Sequence, residues 1–300
     1  MHAKEIPPGR SIRSYAIVRQ EYVTGLLWCI TLCACSKTAQ RAVPRGVPRR
    51  LPGAISPGRG AAVGASAVYV EMAMLRAFPS REKASAALAS AIASALRAAV
   101  AGAGRASAVV SGGQSPRDLF RLLRSMPVPW PRISVVPSDE RWVDTDDDAS
   151  NEQMIRNELF AGSAEAADLV SLYRPGLTAE QALPTLAAAL AEVKRPFDVV
   201  VLGLGDDGHT ASLFPDAPDL AEALTSDALV VVQRLPRLPH ARVSLTPRAL
   251  LDARRLYLLF FGDVKRAVYE RAVRAGPAEE LPVRAIIHQT RVPVAAFWAR

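Results

Sequence analysis

Between residues 84 and 100, apolar side chains recur at Ala84, Ala87, Leu88, Ala91, Ile92, Ala95, Leu96, Ala99 and Val100. This i, i+3, i+4 stripe predicts an amphipathic helix, entered after Pro79-Ser80 and left at Gly102. Its many alanines suit close packing against a sheet. Beyond it the pattern shifts to short apolar runs at 106–110, 133–136, 168–172, 199–202, 229–232, 256–261 and 292–298, that at 199–202 mostly β-branched. Each reads as a buried strand. Helical stretches separate most of them: 117–124 behind Pro116, 150–159, 178–193, a short helix by Pro247 and a helix opened by Gly262-Asp263-Val264-Lys265. Strands alternating with helices at this spacing predict an α/β fold, a mostly parallel, doubly wound sheet with helices on both faces and right-handed crossovers.

Residues 1–71 stand apart. Residues 1–60 hold ten Lys/Arg against two Asp/Glu, so the whole formal net charge of +8 lies there. The remainder is neutral and gives no electrostatic argument for nucleic acid. The Arg/Pro/Gly composition of 42–60 predicts disorder. An apolar patch at 22–35 is short for a membrane span and resembles a signal-peptide core, with Leu32-Cys33-Ala34-Cys35 loosely like a lipoprotein cleavage site. The favoured expectation is an upstream-extended reading frame, with the working protein starting near Met72 or Met74. All three cysteines (Cys29, Cys33, Cys35) fall in this extension, so residues 72–300 use neither disulfides nor thiolate metal sites. No segment reads as a transmembrane span.

The chemistry concentrates at strand ends, where ligands of open α/β sheets bind. After the run at 199–202, Gly203, Gly205 and Gly208 form a turn that carries Asp206, Asp207 and His209. Histidine there can exchange protons near neutral pH. After 106–110 comes Ser111-Gly112-Gly113-Gln114-Ser115-Pro116, a Gly-Gly-polar loop entering a helix and suited to an anion such as phosphate. The run at 133–136 ends in Ser138-Asp139-Glu140-Arg141. Other readings compete. Gly-Leu-Gly-Asp-Asp-Gly matches the dinucleotide pattern G-x-G-x-x-G, but two carboxylates would repel a pyrophosphate, and the next strand ends in Gln233 rather than an acid. His209 could also cap a helix in a purely structural turn, and 111–116 could be a plain βα turn.

Taken in order, these segments resemble the 6-phosphogluconolactonase family across nearly all of residues 74–300. The resemblance rests on Ser111-Gly112-Gly113-x-Ser115-Pro116, Asp139-Glu140-Arg141, Ser150-Asn151, the stretch from Gly203 to Pro215 (GLGDDGHTASLFP), Arg242-x-Ser244-Leu245-Thr246 and Gly262-x-x-Lys265. Gln114 departs from the family's usual small hydroxyl residue and Asp144 from a common proline. The resemblance implies hydrolysis of 6-phospho-D-glucono-1,5-lactone to 6-phosphogluconate, the second step of the oxidative pentose phosphate pathway, with no cofactor and no metal. It also implies a modified Rossmann-like sheet shared with sugar-phosphate isomerases and deaminases. The residues fit this chemistry independently: a lactone ester needs water activated and a proton delivered to the ring oxygen. His209, in a glycine turn at a strand end, is the expected general base and then acid, with Asp207 orienting its ring or holding a sugar hydroxyl. Gly112, Gly113 and Ser115, with Arg141, Arg242 and Lys265 as cations, are the expected phosphate site. Asp139, Asn151 and Gly205 complete the expected substrate contacts. His240 and His288 are expected to be ordinary loop residues. The expected protein is cytoplasmic, a monomer or weak dimer, with a sugar-phosphate lactone as partner and neither nucleic acid nor membrane. A glucosamine-6-phosphate deaminase is the nearest rival. That family prefers Asp-Glu-Tyr and places a glutamate and an asparagine after its Asp-Gly-His, where this chain has Arg141 and Ser212-Leu213-Phe214-Pro215. A non-catalytic sugar-phosphate sensor would keep Arg242 and Lys265 but would not need His209.

Overall fold

The structure is a computed structural model that describes residues 74–300. The basic extension 1–71, with its apolar patch and cysteines, lies outside the described residues. In chain order the elements are β1 (Met74–Ala77), α1 (Arg81–Ala103), β2 (Ala106–Val110), α2 (Arg117–Arg124), β3 (Ile133–Pro137), β4 (Asp139–Arg141), α3 (Asn151–Glu158), β5 (Asp168–Leu169) and α4 (Ala179–Glu192). There follow β6 (Val199–Leu202), α5 (Leu220–Thr225), β7 (Val230–Gln233), β8 (Arg242–Leu245), α6 (Pro247–Leu250), β9 (Leu256–Phe261), α7 (Asp263–Ala272), α8 (Arg284–Ile287) and β10 (Val294–Ala299).

Seven strands form one parallel sheet in the order β1-β10-β9-β6-β2-β3-β5. β2 and β6 are buried at every residue, which is why their sequences are continuous apolar runs rather than alternating ones. One face packs on Leu88, Ile92 and Leu96 of α1 with Phe120 and Ile155. The other packs on Leu186, Leu190, Phe197, Leu258 and Ile286. Ser80 caps α1 by accepting from the Lys83 N–H at 3.3 Å, and Gly104 ends it at φ 72°. Among the described residues α1 alone is long and apolar enough to cross a membrane, but its Leu88, Ile92 and Leu96 are buried in the sheet core.

The chain order fixes where a ligand can sit. From β2 the chain moves outward to β3 and β5, then returns to β6 on the other side of β2 and moves outward again to β9 and β10. The loops leaving β2 and β6 therefore diverge, and the crevice between them is the switch point of the sheet.

One expectation needs correction. The run at 229–232 does not join the parallel sheet: β7 pairs antiparallel with β8, which pairs antiparallel with β4, in a separate three-stranded sheet. Alternation of helix and strand does not reveal this, because β4 and β8 are short, β4 is charged throughout and β8 opens on a charged residue. Ahead of α1, inside the expected domain of residues 72–300, lies a strand that the apolar pattern does not predict. β1 adds a parallel edge strand to β10, Phe78 stacks on Phe297 at 5.5 Å between ring centroids, and Arg76 lies over the same ring. A chain starting at Met72 is expected to keep the melting temperature of the full chain. One starting at Pro79 should melt about 4–8 °C lower, since an edge strand worth about 2 kcal/mol shifts a domain of this size by about 2–4 °C per kcal/mol. Thermal melts followed by circular dichroism would check this, and equal midpoints would make β1 dispensable.

Candidate active site

Glycine decides how the loop after β6 can fold. A Cβ on Gly205 would lie 2.1 Å from Nδ1 of His209, so the imidazole rests directly on this backbone. Gly208 has φ +85°, and a Cβ there would meet Leu281 at 2.4 Å. The turn is closed by Gly205 N–H donating to the His209 carbonyl (2.9 Å) and Gly208 N–H to the Gly205 carbonyl (3.1 Å). Thr210 Oγ1 donates to the Gly203 carbonyl (2.9 Å), and Ala211 is held at φ 48°, a strained setting for a residue with a side chain. The loop is built to hold one side chain in place.

That side chain is His209. Its Nδ1 lies 2.5 Å from Oδ1 of Asp207, which also accepts from the His209 backbone N–H at 3.1 Å. Burial pushes the Asp207 carboxyl up, but the hydrogen bond and charge of His209 outweigh it and bring it down to about 2. An ionised carboxylate only accepts, so Nδ1 carries the hydrogen and Nε2 is left as the basic nitrogen. Phe214 packs against the imidazole with ring centroids 4.3 Å apart.

His209 opens on a cleft of about 320 Å³. The cleft is also lined by Gly112, Gly113, Ser115, Asp139, Arg141, Asn151, Gly205, Arg242 and Lys265. The sequence-expected residues thus converge from both sheets, with one exception: Asp207 is not on the cleft wall but behind the imidazole. Of its two expected roles, the geometry supports orienting the ring.

The loop after β2 forms the facing wall. Gly112 is glycine because a Cβ would fall 1.9 Å from Oδ1 of Asn151, and Gly113 takes φ +90°. No side chain caps α2, whose Arg117 and Arg121 grip Glu158 at the end of α3 (2.7 and 2.6 Å). Asn151 begins α3 and donates from Nδ2 to the Asp139 carbonyl at 2.9 Å. Glu140 fastens this corner: its carboxylate accepts from the N–H groups of Arg141 (2.7 Å), Asn151 (2.7 Å) and Glu152 (2.6 Å) and from Ser150 Oγ (3.1 Å). Burial pushes the Glu140 carboxyl up, against the pull of those N–H donors.

A buried hydroxyl relay runs beneath the cleft. Gly203 N–H donates to Ser111 Oγ (3.2 Å), Ser111 Oγ meets Ser138 Oγ (3.0 Å), and Ser138 Oγ donates to Asp139 Oδ1 (2.7 Å). Ser212 Oγ donates to the other oxygen, Oδ2, at 2.6 Å. Asp139 therefore reaches the cleft with both carboxylate oxygens already engaged. The serines of this relay look like turn residues in the sequence, and only their burial exposes the arrangement.

The cations come from β4, β8 and α7. Arg141 and Arg242 stand directly opposite each other in the β4–β8 pairing, where like charges repel. Arg141 donates to the Ala149 carbonyl (2.5 Å) and Arg242 to the His240 carbonyl (3.2 Å). Burial lowers Arg242 to about 10, and the neighbouring Arg141 charge adds to the effect. Among the described residues neither arginine, nor Lys265 at the start of α7, has a carboxylate ion-pair partner. Away from the cleft, the His288 ring meets the Ala272 carbonyl at 2.7 Å at the end of α8.

A histidine–aspartate pair and three cations that form no direct ion pair among the described residues, at the switch point of a doubly wound sheet, define an α/β enzyme for a small anionic substrate. Residues 79–297 match the family model described as glucosamine-6-phosphate isomerases/6-phosphogluconolactonase. The chain is 39% identical over 225 residues to a 6-phosphogluconolactonase of Mesorhizobium japonicum, covering 74% of this chain and 94% of the relative. A crystal structure of a 6-phosphogluconolactonase from Shewanella baltica, 39% identical, superposes with a TM-score of 0.75 over 77% of this chain and 99% of that one. A monomeric glucosamine-6-phosphate deaminase shares the fold at 18% identity and a TM-score of 0.61, over 76% of this chain and 97% of the other. The chain belongs to the glucosamine-6-phosphate isomerase/6-phosphogluconolactonase family.

Proposed function

We propose that this protein hydrolyses 6-phospho-D-glucono-1,5-lactone to 6-phospho-D-gluconate, the second step of the oxidative pentose phosphate pathway. The observation that carries the reading is the cation pair Arg141–Arg242, set opposite on adjacent strands, with Lys265 lining the same cleft. Such a repulsive arrangement becomes favourable when a dianion such as a phosphate monoester enters it. The Gly112-Gly113 loop and Ser115 add backbone and hydroxyl donors. The relatives named 6-phosphogluconolactonase support the same substrate.

The steps follow from His209. Nε2 removes a proton from water as the water oxygen bonds to the lactone carbonyl carbon, giving a tetrahedral oxyanion and an imidazolium. Asp207, ionised on the Nδ1 side, holds the ring and stabilises that imidazolium. Collapse of the intermediate re-forms the carbonyl and breaks the bond to the ring oxygen, which takes the proton back from Nε2. The new carboxylic acid ionises in water, and His209 ends as it began. No step calls for a cofactor or a metal. We also infer a monomer or weak dimer working in the cytoplasm, without nucleic acid or membrane; the lack of cysteine in residues 72–300 suits that compartment.

The test is direct. Purified protein is given freshly generated lactone, and its disappearance is followed against the spontaneous reaction. Acceleration, with no ammonia released from glucosamine 6-phosphate, is the expected result. A lactone decay no faster than the blank would end the proposal.

A further inference from the structure

We propose that Arg237 is a positioning residue for this hydrolysis, acting through Asp207 and Phe214 to keep the His209 imidazole fixed and unprotonated. The inference rests on the lactonase reading above. Arg237 lies between Pro236 and Pro239 in the loop joining β7 to β8. Leu235 anchors that loop in a small apolar cluster with Leu213, Phe214 and Ala217, directly behind the histidine turn. The Arg237 guanidinium binds Asp216 through Nε (2.5 Å) and NH2 (3.1 Å). The same NH2 donates to Asp207 Oδ2 at 3.3 Å. The guanidinium also lies 5.3 Å from the centre of the Phe214 ring, the ring that packs on His209. Arg237 therefore holds both groups that hold the imidazole. The two Asp207 oxygens are divided between them, Oδ1 for His209 and Oδ2 for Arg237.

This division has an electrostatic consequence. A lone carboxylate beside an imidazole favours the imidazolium, which cannot act as a base. Arg237 offsets the Asp207 charge and so favours the neutral ring. Asp206, Asp216 and Asp219 are the other acids between β6 and α5. Across the cleft stand Arg141, Arg242 and Lys265, with Asp139 engaged by its serines. These stay in place when Arg237 is changed. Asp207 stays as well, because Oδ1 also accepts from the His209 backbone N–H. An exterior Arg–Asp pair would have no such reach. Arg234, on the same loop and paired with Glu180 at 2.6 Å, supplies that comparison.

The test uses Arg237→Met, Arg237→Lys and Arg234→Met in the full chain. It reads kcat and KM across pH and the midpoint of the His209 ring titration by NMR. Arg237→Met is expected to lower kcat about tenfold through lost orientation, with KM within twofold. The acid limb of kcat/KM and the ring midpoint should both rise by about half a pH unit, the size of one unpaired charge at this range in a wet site. Arg237→Lys should restore the midpoint but only part of kcat, since lysine lacks the planar fork. Arg234→Met should move neither. A ring midpoint unchanged in Arg237→Met, or a raised KM at constant kcat, would overturn the proposal. If the parent protein does not hydrolyse the lactone, the functional reading fails, while the ring midpoint still decides whether Arg237 governs the imidazole.

Discussion

His209→Ala is expected to fold as the parent protein does and to lose on the order of 10²–10⁴ in kcat, the usual worth of a general acid–base group. The fold should survive because His209 is not a core residue: 32% of its side chain is exposed, and it rests on Asp207, the Phe214 ring and the Gly205 backbone. Removing the ring leaves Asp207 paired with Arg237, so no buried charge is stranded. The backbone of the turn does not depend on it, since Gly205, Gly208 and Thr210 close the turn through main-chain and hydroxyl bonds. The loss should therefore appear in kcat rather than KM, because the expected phosphate contacts lie elsewhere on the cleft. Measured against the spontaneous rate, activity within threefold of the parent would remove His209 from the mechanism. Asp207→Asn should lose less than His209→Ala, because Gly205 and Phe214 still confine the ring.

How much of this could be read from the chain depended on what each residue type can signal by itself. The runs at 106–110 and 199–202 were legible because a strand covered on both faces has no polar position to spare. The loops after them were legible because Gly112 and Gly205 tolerate no Cβ, which makes glycine a trace of close approach. β1 was not legible: as an edge strand it leaves Met74, Arg76 and Ala77 exposed and shows no period. α5 and α8 are too short to carry a helical stripe. The antiparallel sheet was missed for a different reason. β4 holds three residues, all charged, and its pairing with β8 joins segments a hundred residues apart. Arg237 left no trace either. An arginine among prolines and leucines reads as a solvated loop until folding brings it onto Asp207 and Phe214. Local chemistry was thus visible where one residue faces a backbone constraint, and hidden where two distant side chains share a task.

Arg242→Ala and Lys265→Ala should each raise KM for the phosphorylated lactone by about 10- to 150-fold, the equivalent of a charge-assisted hydrogen bond worth about 1.5–3 kcal/mol. Arg242 remains a cation at neutral pH even though burial and Arg141 lower it to about 10. Holding it there beside a like charge costs stability, so Arg242→Ala should not lower the melting temperature as loss of a buried, paired arginine would. Substrate affinity would fall while the fold holds, the pattern expected of a site strained in favour of its ligand. Lys265 contributes a point charge from the start of α7 rather than a fork, and the effect of its removal should weaken more steeply with added salt. Unphosphorylated glucono-1,5-lactone separates binding from chemistry. It presents the same ring to His209 but nothing to the cations, so both variants should hydrolyse it at nearly the parent rate. If both substrates suffer equally, Arg242 and Lys265 are not phosphate ligands, and the anion they await is the one that forms at the carbonyl.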